Sequence, residues 1–351
     1  MKEVIICQDL KEDLTRAIGQ MAYDRLFVLA DMNTACLCWP LISDWPCLSE
    51  ARLIAIEAGD KHKSIETLTS VWTALQEGGA TRHSLLINVG GGMVTDLGGF
   101  AASTFKRGFA YINIPTTLLS MVDASVGGKT AINFGGLKNE IGMFSLPASV
   151  LLDTRFLRTL DHPNLLSGYA EMLKHALISE EAQWAELMRF DLEQIDYEAL
   201  CRMIAQSVAV KERIVKDDPT EQGIRKALNL GHTVGHAFES LALQQGRPVL
   251  HGYAVAWGIV CELFLSACLT GFPKERLMQT LQFVREHYGT FVFDCKQYDT
   301  LYRFMTHDKK NEAGRINFTL LAGIGEICIN QTASKEDIEE SLDFFRDSMG
   351  C

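Results

Sequence analysis

Proline is scarce, with 8 in 351 residues, and no Pro/Ser-rich tract, low-complexity run or internal repeat breaks the chain. A flexible linker between domains is therefore not expected. Basic residues are in deficit: 33 Lys and Arg stand against 44 Asp and Glu, a net charge of −11. That balance argues against a dedicated nucleic-acid or anionic-membrane partner, but leaves room for a local basic site around a phosphorylated small molecule. The ten cysteines include no CxxC pair. Neither a zinc ribbon nor a disulfide framework is expected, and free thiols in a reducing cytoplasm are. The opening MKEVIICQDLKEDL has no basic stretch followed by a long apolar one, so no secretory signal is expected. Long hydrophobic runs are missing except for Tyr253–Gly271, whose one charge is Glu262. That run is borderline against the ~20 apolar residues of a membrane span and has no flanking basic anchors, so we expect a buried core helix.

What is present is a globular composition: 47% hydrophobic and 22% charged residues exclude a disordered chain. At ~100–200 residues per domain the length suggests two domains. Short apolar runs at Arg25–Ala30, Leu53–Ile56, Ser84–Val89, Ala110–Ile114 and Ser149–Asp153 read as strands. Ser64–Gln76 has helical periodicity, and strand–helix–strand spacing implies a largely parallel sheet over residues 1–154. Residues 155–351 read as mainly helical, with helices at Leu165–Leu177, Glu181–Met188, Tyr197–Lys216, Ile224–Gln244, Tyr253–Leu269 and Lys274–His287. A late hairpin is expected from Ile316–Leu321 and Glu326–Ile329.

Several segments carry chemistry. Asn88-Val-Gly-Gly-Gly-Met-Val-Thr-Asp96 is a glycine turn between a strand and a helix, a place where backbone N–H groups can meet a pyrophosphate. Its spacing is not GxGxxG, and a tight turn without a ligand has the same pattern. Asp123-Ala-Ser-Val-Gly-Gly-Lys-Thr130 resembles half a P-loop but has Asp where the first glycine belongs. With Lys138-Asn139 it offers an oxyanion or polyol site, or else a surface loop. Gly231-His-Thr-Val-Gly-His236 sets two imidazoles four apart on a helix, with His251 fifteen residues on and Glu171 upstream. Two imidazoles and a carboxylate make an open catalytic zinc set, but spacing does not say which histidines ligate, and any lone histidine is commonly structural. Arg225, Asn229, His232 and His236 step by four or three along one helical stretch, so all can share one face, read as a polar face lining a cleft rather than a solvated one. Asp308-Lys309-Lys310 reads as a phosphate clamp or a charged loop.

Together these segments resemble the 3-dehydroquinate synthases, sugar-phosphate cyclases of the shikimate pathway. The likeness rests on Pro115-Thr-Thr-Leu-Leu, Asp123 to Thr130, Lys138-Asn139, Ala170-Glu171 with Lys174, Leu228-Asn-Leu-Gly-His-Thr-Val-Gly-His236, His251-Gly252 and Asp308-Lys-Lys310. The resemblance implies an α/β Rossmann-like parallel-sheet domain that binds NAD (residues 1–154), then a mainly α-helical domain for zinc and substrate (155–351). It implies zinc, or cobalt, on Glu171, His232 and His251. NAD would meet Asp31, Asn33, Asp60, Lys63, Gly91, Gly92, Asp96, Thr116, Thr117, Asp123, Lys129, Lys138, Phe156 and Thr159. Substrate would meet Arg107, Asp123, Lys129, Asn139, Lys174, Lys211, Arg225, Asn229, His236 and one of Lys309 and Lys310. Catalytic work would fall to His236, Lys174, Arg225, Asn229 and Lys129. Arg107 resembles an arginine that reaches a neighbouring subunit's phosphate site, which implies a homodimer.

The implied reaction turns 3-deoxy-D-arabino-heptulosonate 7-phosphate into 3-dehydroquinate and phosphate. It runs by transient NAD oxidation, phosphate elimination, re-reduction and intramolecular aldol closure. The alternatives are a metal-dependent polyol dehydrogenase of similar architecture, a cyclase for another sugar phosphate, and a non-catalytic scaffold. Departures from the family pattern are Thr95 for Gly, Asp60 for Glu, Tyr253 for the Glu of an HGE motif, Asp161-His-Pro-Asn164 for a Pro-x-Arg-Glu turn, and Ser145-Leu146 for Tyr-Gln. Tyr253 is expected to alter the surroundings of the metal.

Overall fold

The structure is a computed structural model that describes residues 4–135, 137–306 and 316–350. The chain forms two compact units that divide between Asp161 and His162.

The first unit contains, in chain order, β1 (Val4–Ile6), α1 (Leu10–Gly19), β2 (Leu26–Asp31), α2 (Met32–Leu37), β3 (Arg52–Ile56) and α3 (Ile65–Glu77). There follow β4 (Leu85–Gly90), α4 (Gly92–Thr104), β5 (Ala110–Pro115), β6 (Lys129–Phe134), β7 (Leu137–Phe144) and β8 (Ser149–Leu152). Six strands form one parallel sheet in the order β1-β8-β5-β4-β2-β3. Strands β2 and β4 are buried throughout, which explains their uninterrupted apolar runs: interior parallel strands meet helices on both faces. Leu68, Val71 and Leu75 of α3 and Val94, Leu97 and Ala101 of α4 close over Phe27, Leu29 and Leu86. From β2 the sheet continues outward to β3, and from β4 to β5. The carboxyl ends of β2 and β4 therefore flank the switch point at which open α/β sheets take their ligands.

Two features differ from expectation. Lys129 and Lys138-Asn139 are not loop residues: they lie in an antiparallel hairpin, β6 paired with β7, with Lys129 opposite Phe144. Thr130, Ala131 and Ile132 are buried while every residue of β7 is exposed, so one strand of the pair carries no burial pattern to read. The edge strand β1, at three residues too short to show a periodic pattern, pairs Val4 with Val150 of β8.

The second unit comprises α5 (His162–Leu177), α6 (Glu181–Leu187), α7 (Tyr197–Asp217), α8 (His232–Gln244), α9 (His251–Leu269), α10 (Lys274–Tyr288) and α11 (Tyr298–Thr306). A hairpin of β9 (Phe318–Gly323) and β10 (Glu326–Gln331) and helix α12 (Lys335–Met349) complete it. Helix α9 is the core helix: by length and composition it could cross a membrane, but 72% of its apolar window is buried in the fold. A helix packed on every side needs no polar face.

The helix expected over Ile224–Gln244 is broken. Ile224–Asn229 form a 3-10 turn, Gly231 adopts φ 79°, and α8 starts afresh at His232. Arg225 and Asn229 therefore do not share one helical face with His232 and His236. The left-handed backbone at Gly231 strongly favours glycine, and it redirects the chain so that a histidine heads the new helix.

Candidate active site

Three helix positions in the second unit converge. Glu171 lies in the middle of α5, and His232 and His251 are the first residues of α8 and α9. Glu171 Oε1 is 3.3 Å from His232 Nε2 and 3.5 Å from His251 Nε2. Donors arranged tetrahedrally at ~2.1 Å around one ion stand about 3.4 Å apart, so these separations suit a single small cation. Each ring's other nitrogen faces an acceptor: His232 Nδ1 lies 3.1 Å from the Leu230 carbonyl, and His251 Nδ1 lies 3.4 Å from Glu239 Oε2. A carbonyl only accepts, so Nδ1 of His232 carries a proton, which leaves Nε2 as the nitrogen whose lone pair a metal would take on loss of its proton.

Glycines make the convergence possible. A Cβ at Gly252 would lie 1.9 Å from the Ser167 carbonyl oxygen of α5, and one at Gly258 would lie 2.0 Å from the Gly231 carbonyl oxygen. No side chain fits at either crossing, and backbone contact sets where the two histidines begin their helices.

Glu171 is 0% exposed, and neither of its oxygens has an aligned hydrogen-bond donor among the described residues. Lys174, one turn on, forms an ion pair with Oε2. Burial opposes ionisation of Glu171, yet Lys174 and His232 hold its pKa well below the usual carboxylate value. Burial likewise opposes charge on His251, but Glu171 and Glu239 outweigh it and push its pKa up to about 10. A buried anionic oxygen facing imidazole nitrogens without aligned donors fits a bound divalent metal. His236 is the third imidazole nearby, its ring centroid 5.3 Å from that of His232 and 5.9 Å from that of His251. Nitrogens of His232, His236 and His251 all lie within 4.8 Å of one another, so geometry alone leaves His236 open as a donor.

Among the described residues the same unit buries three cations: Lys174 (1% exposed), Arg225 (2%) and Lys211 (6%). Buried cations are costly unless they meet anions. Arg225 is held by Nη1 donating to the Pro219 carbonyl at 2.7 Å. Its loop is organised by Asp218, whose carboxylate accepts from the backbone N–H groups of Gln222, Gly223 and Arg225 at 3.1, 2.7 and 3.1 Å. Asn229 donates to Glu221 Oε1 at 3.1 Å. The ring of Tyr253 sits edge-on to Tyr288 and Trp257, and the acid facing His251 is Glu239. Sequence reading passed over Glu239, Glu221 and Asp218, whose roles rest on contacts across a break or between helices. Lys309 and Lys310 lie outside the described residues.

In the first unit, helix α4 begins at Gly92 with Gly91 as its N-cap and no side chain capping it. Its leading N–H groups suit an anion, and a Cβ at Gly91 would come within 3.1 Å of Thr117. Asp31 ends β2 but spends its carboxylate as the cap of α2, accepting from Thr34 N at 2.9 Å, with Asn33 exposed beside it. Buried Lys63 donates to Asp96 and, at 2.5 Å, to Asn139 Oδ1. Asn133 joins this group to Asp60 by donating to the Asp60 carbonyl at 3.0 Å and accepting from Asn139 N at 2.9 Å. Lys138 pairs with Asp60 at 3.5 Å, both side chains about half exposed. Thr116 is buried at the end of β5, and Thr117 shares a 2.9 Å hydroxyl contact with Ser120. Asp123 lies in the π-helical turn Ser120–Ala124, and Lys129 is exposed at the start of β6. Phe156 is a core residue whose carbonyl accepts from Thr159 Oγ1 at 2.7 Å. Arg107 is exposed with φ 72°.

Comparison with known proteins points one way. Family profiles described as 3-dehydroquinate synthase N-terminal and C-terminal match residues 53–167 and 168–311. The chain is 57% identical to a 3-dehydroquinate synthase of Parabacteroides distasonis over 99% of both chains. It is 38% identical to one from Pyrococcus furiosus over 95% of this chain and 96% of that one. Among solved structures, it is similar to the 2-epi-5-epi-valiolone synthase ValA of Streptomyces hygroscopicus, which has NAD+ and Zn2+ bound. That match has a TM-score of 0.87 at 26% identity and covers 99% of this chain and 97% of the other.

Proposed function

Because the chain belongs to the 3-dehydroquinate synthase family and has its lyase activity, we propose which of its residues perform that activity and on what. The substrate is 3-deoxy-D-arabino-heptulosonate 7-phosphate and the products are 3-dehydroquinate and phosphate. Bound NAD supplies a hydride acceptor that later returns the hydride, and a bound zinc or cobalt ion supplies Lewis acidity at the hydroxyl to be oxidised.

Residues 1–154 serve NAD. The open start of α4 at Gly91 and Gly92 receives the pyrophosphate, with Thr116 and Thr117 beside it. Asp31 and Asn33, at the end of β2, take a ribose. Lys63 with Asp96, Asp60 with Lys138, and Asp123, Lys129, Phe156 and Thr159 complete the surroundings of the cofactor.

Residues 155–351 serve metal and substrate. Glu171, His232 and His251 hold the metal; one carboxylate and two neutral imidazoles leave a divalent ion with a net positive charge to act on the substrate oxygen. Lys174, Lys211 and Arg225, with one of Lys309 and Lys310, bind carboxylate and phosphate by charge-assisted hydrogen bonds, and Lys129 and Asn139 are the substrate groups assigned to the first unit. Asn229 orients substrate hydroxyls from its contact with Glu221. His236 carries a proton on a ring nitrogen to or from the departing phosphate oxygen, a task suited to a group that titrates near neutral pH. Arg107 reaches the phosphate site of a second copy in a homodimer, and the enzyme works in the cytoplasm without nucleic-acid or membrane partners.

The observation that carries this reading is the meeting of Glu171, His232 and His251 in a unit that also buries Lys174, Lys211 and Arg225. It is tested by phosphate release from the named substrate, with catalytic NAD and parallel samples containing chelator. Metal-dependent release without net NADH is the expected result. Steady NADH accumulation would instead favour a polyol dehydrogenase.

A further inference from the structure

Helix α9 is apolar along nearly its whole length, yet it holds one acid, Glu262, at 0% exposure. A carboxylate so buried is strongly unfavourable unless it is hydrogen-bonded. Glu262 reaches across to the start of α8: Oε2 accepts from Gly231 N at 2.6 Å and Oε1 from Val234 N at 3.1 Å. These are the N-cap and third-residue N–H groups, the pair that a capping box satisfies from within a helix. At α8 no side chain caps the helix, because the N-cap is Gly231 in a left-handed conformation. The cap comes instead from α9, the helix headed by His251. One turn before Glu262 on the same face, Gly258 packs its backbone against the Gly231 carbonyl. Residue 231 is thus fixed at both its N–H and its carbonyl by α9, and the next residue is His232.

We propose that Glu262 is a positioning residue for the metal. By capping α8 from α9 it fixes the first turn of α8, and so the distance between His232 Nε2 and the ligands on α9 and α5. Ligand sets tolerate only about 0.5 Å of slack, and residues that orient ligands commonly govern metal affinity. The proposal rests on Glu171, His232 and His251 being the ligands.

The test uses the full-length chain and its Glu262→Ala, Glu262→Gln and His251→Ala variants. Zinc affinity is measured by chelator competition, the ligand field by the visible absorption of the cobalt-loaded protein, and folding by thermal melting. NAD affinity on the same samples reports the first unit. Glu262→Ala is expected to lower zinc affinity roughly 10- to 100-fold and to alter the cobalt spectrum, with NAD affinity unchanged. Glu262→Gln keeps one acceptor oxygen and is expected to lose less. Wild-type zinc affinity and cobalt spectrum in both Glu262 variants, even with a lowered melting temperature, would overturn the proposal. Should Glu262→Ala fail to fold, Glu262→Gln decides by the same two readouts. Undiminished zinc binding by His251→Ala would instead overturn the ligand assignment, and this proposal with it.

Discussion

The two units hold their functional groups by different means. In the first, the proposed anion-binding element is backbone, the start of α4 at Gly91 and Gly92 just after the carboxyl end of β4, while proposed cofactor residues such as Lys129 and Lys138 lie in the hairpin β6–β7. In the second, the groups are side chains on helices, two of them histidines at helix starts, placed by close helix packing and by buried charge. A strand end is positioned by the whole sheet and tolerates change in its neighbours. A helix start set by van der Waals contact of two backbones does not.

Adding one methyl group at the α5–α9 crossing tests this contrast most severely. Gly252→Ala would place Cβ 1.9 Å from a backbone oxygen, so α9 must move off α5, separating His251 from Glu171. We expect destabilisation of ~1–3 kcal/mol or more in urea unfolding, together with loss of bound metal. Normal metal content in this variant would break the close-packing argument. An intermediate effect is expected at Arg225→Lys, which keeps the charge but loses the planar fork of a buried arginine. The Michaelis constant for the phosphorylated substrate should rise roughly tenfold, with a smaller change in turnover. An unchanged constant would remove Arg225 from the anion set. The smallest effect belongs to Lys138→Ala in the first unit, which breaks a half-exposed ion pair with Asp60. Stability should change by no more than about 0.5 kcal/mol, and NAD affinity should fall less than in Lys63→Met, which removes a buried cation from Asp96 and Asn139. The reverse ranking would contradict the description of the first site.

How much of this was legible in the sequence follows the same division. The interior strands announced themselves because full burial demands continuous apolar runs, and the turn at Gly90–Gly92 stood where one strand hands over to a helix. The resemblance implied Glu171, His232 and His251 as the ligand set where spacing left the choice of histidines open. Periodicity misled at Ile224–Gln244, because a single left-handed residue, Gly231, restarts the helix without disturbing the apolar pattern. The residues that support the site were invisible for a common reason. Glu262 looked like a stray charge in a core helix, Glu239 like one more polar residue on α8, and Asn133 like part of a loop. Each is defined by a partner at least six residues away in the chain, and such pairings exist only once the fold has formed. The ring contacts of Tyr253 with Tyr288 and Trp257 and the contact of His251 with Glu239 of another helix are likewise defined only by the fold.

The central claim is that Glu171 in the middle of α5 and the histidines that head α8 and α9 build one metal site. Anomalous diffraction at the zinc edge, from crystals of the zinc-loaded protein, tests it most directly. The account predicts one strong peak within bonding distance of a Glu171 carboxylate oxygen and the Nε2 atoms of His232 and His251, with His236 outside the coordination sphere. A peak that takes His236 in place of His251, or lies away from Glu171, would contradict it.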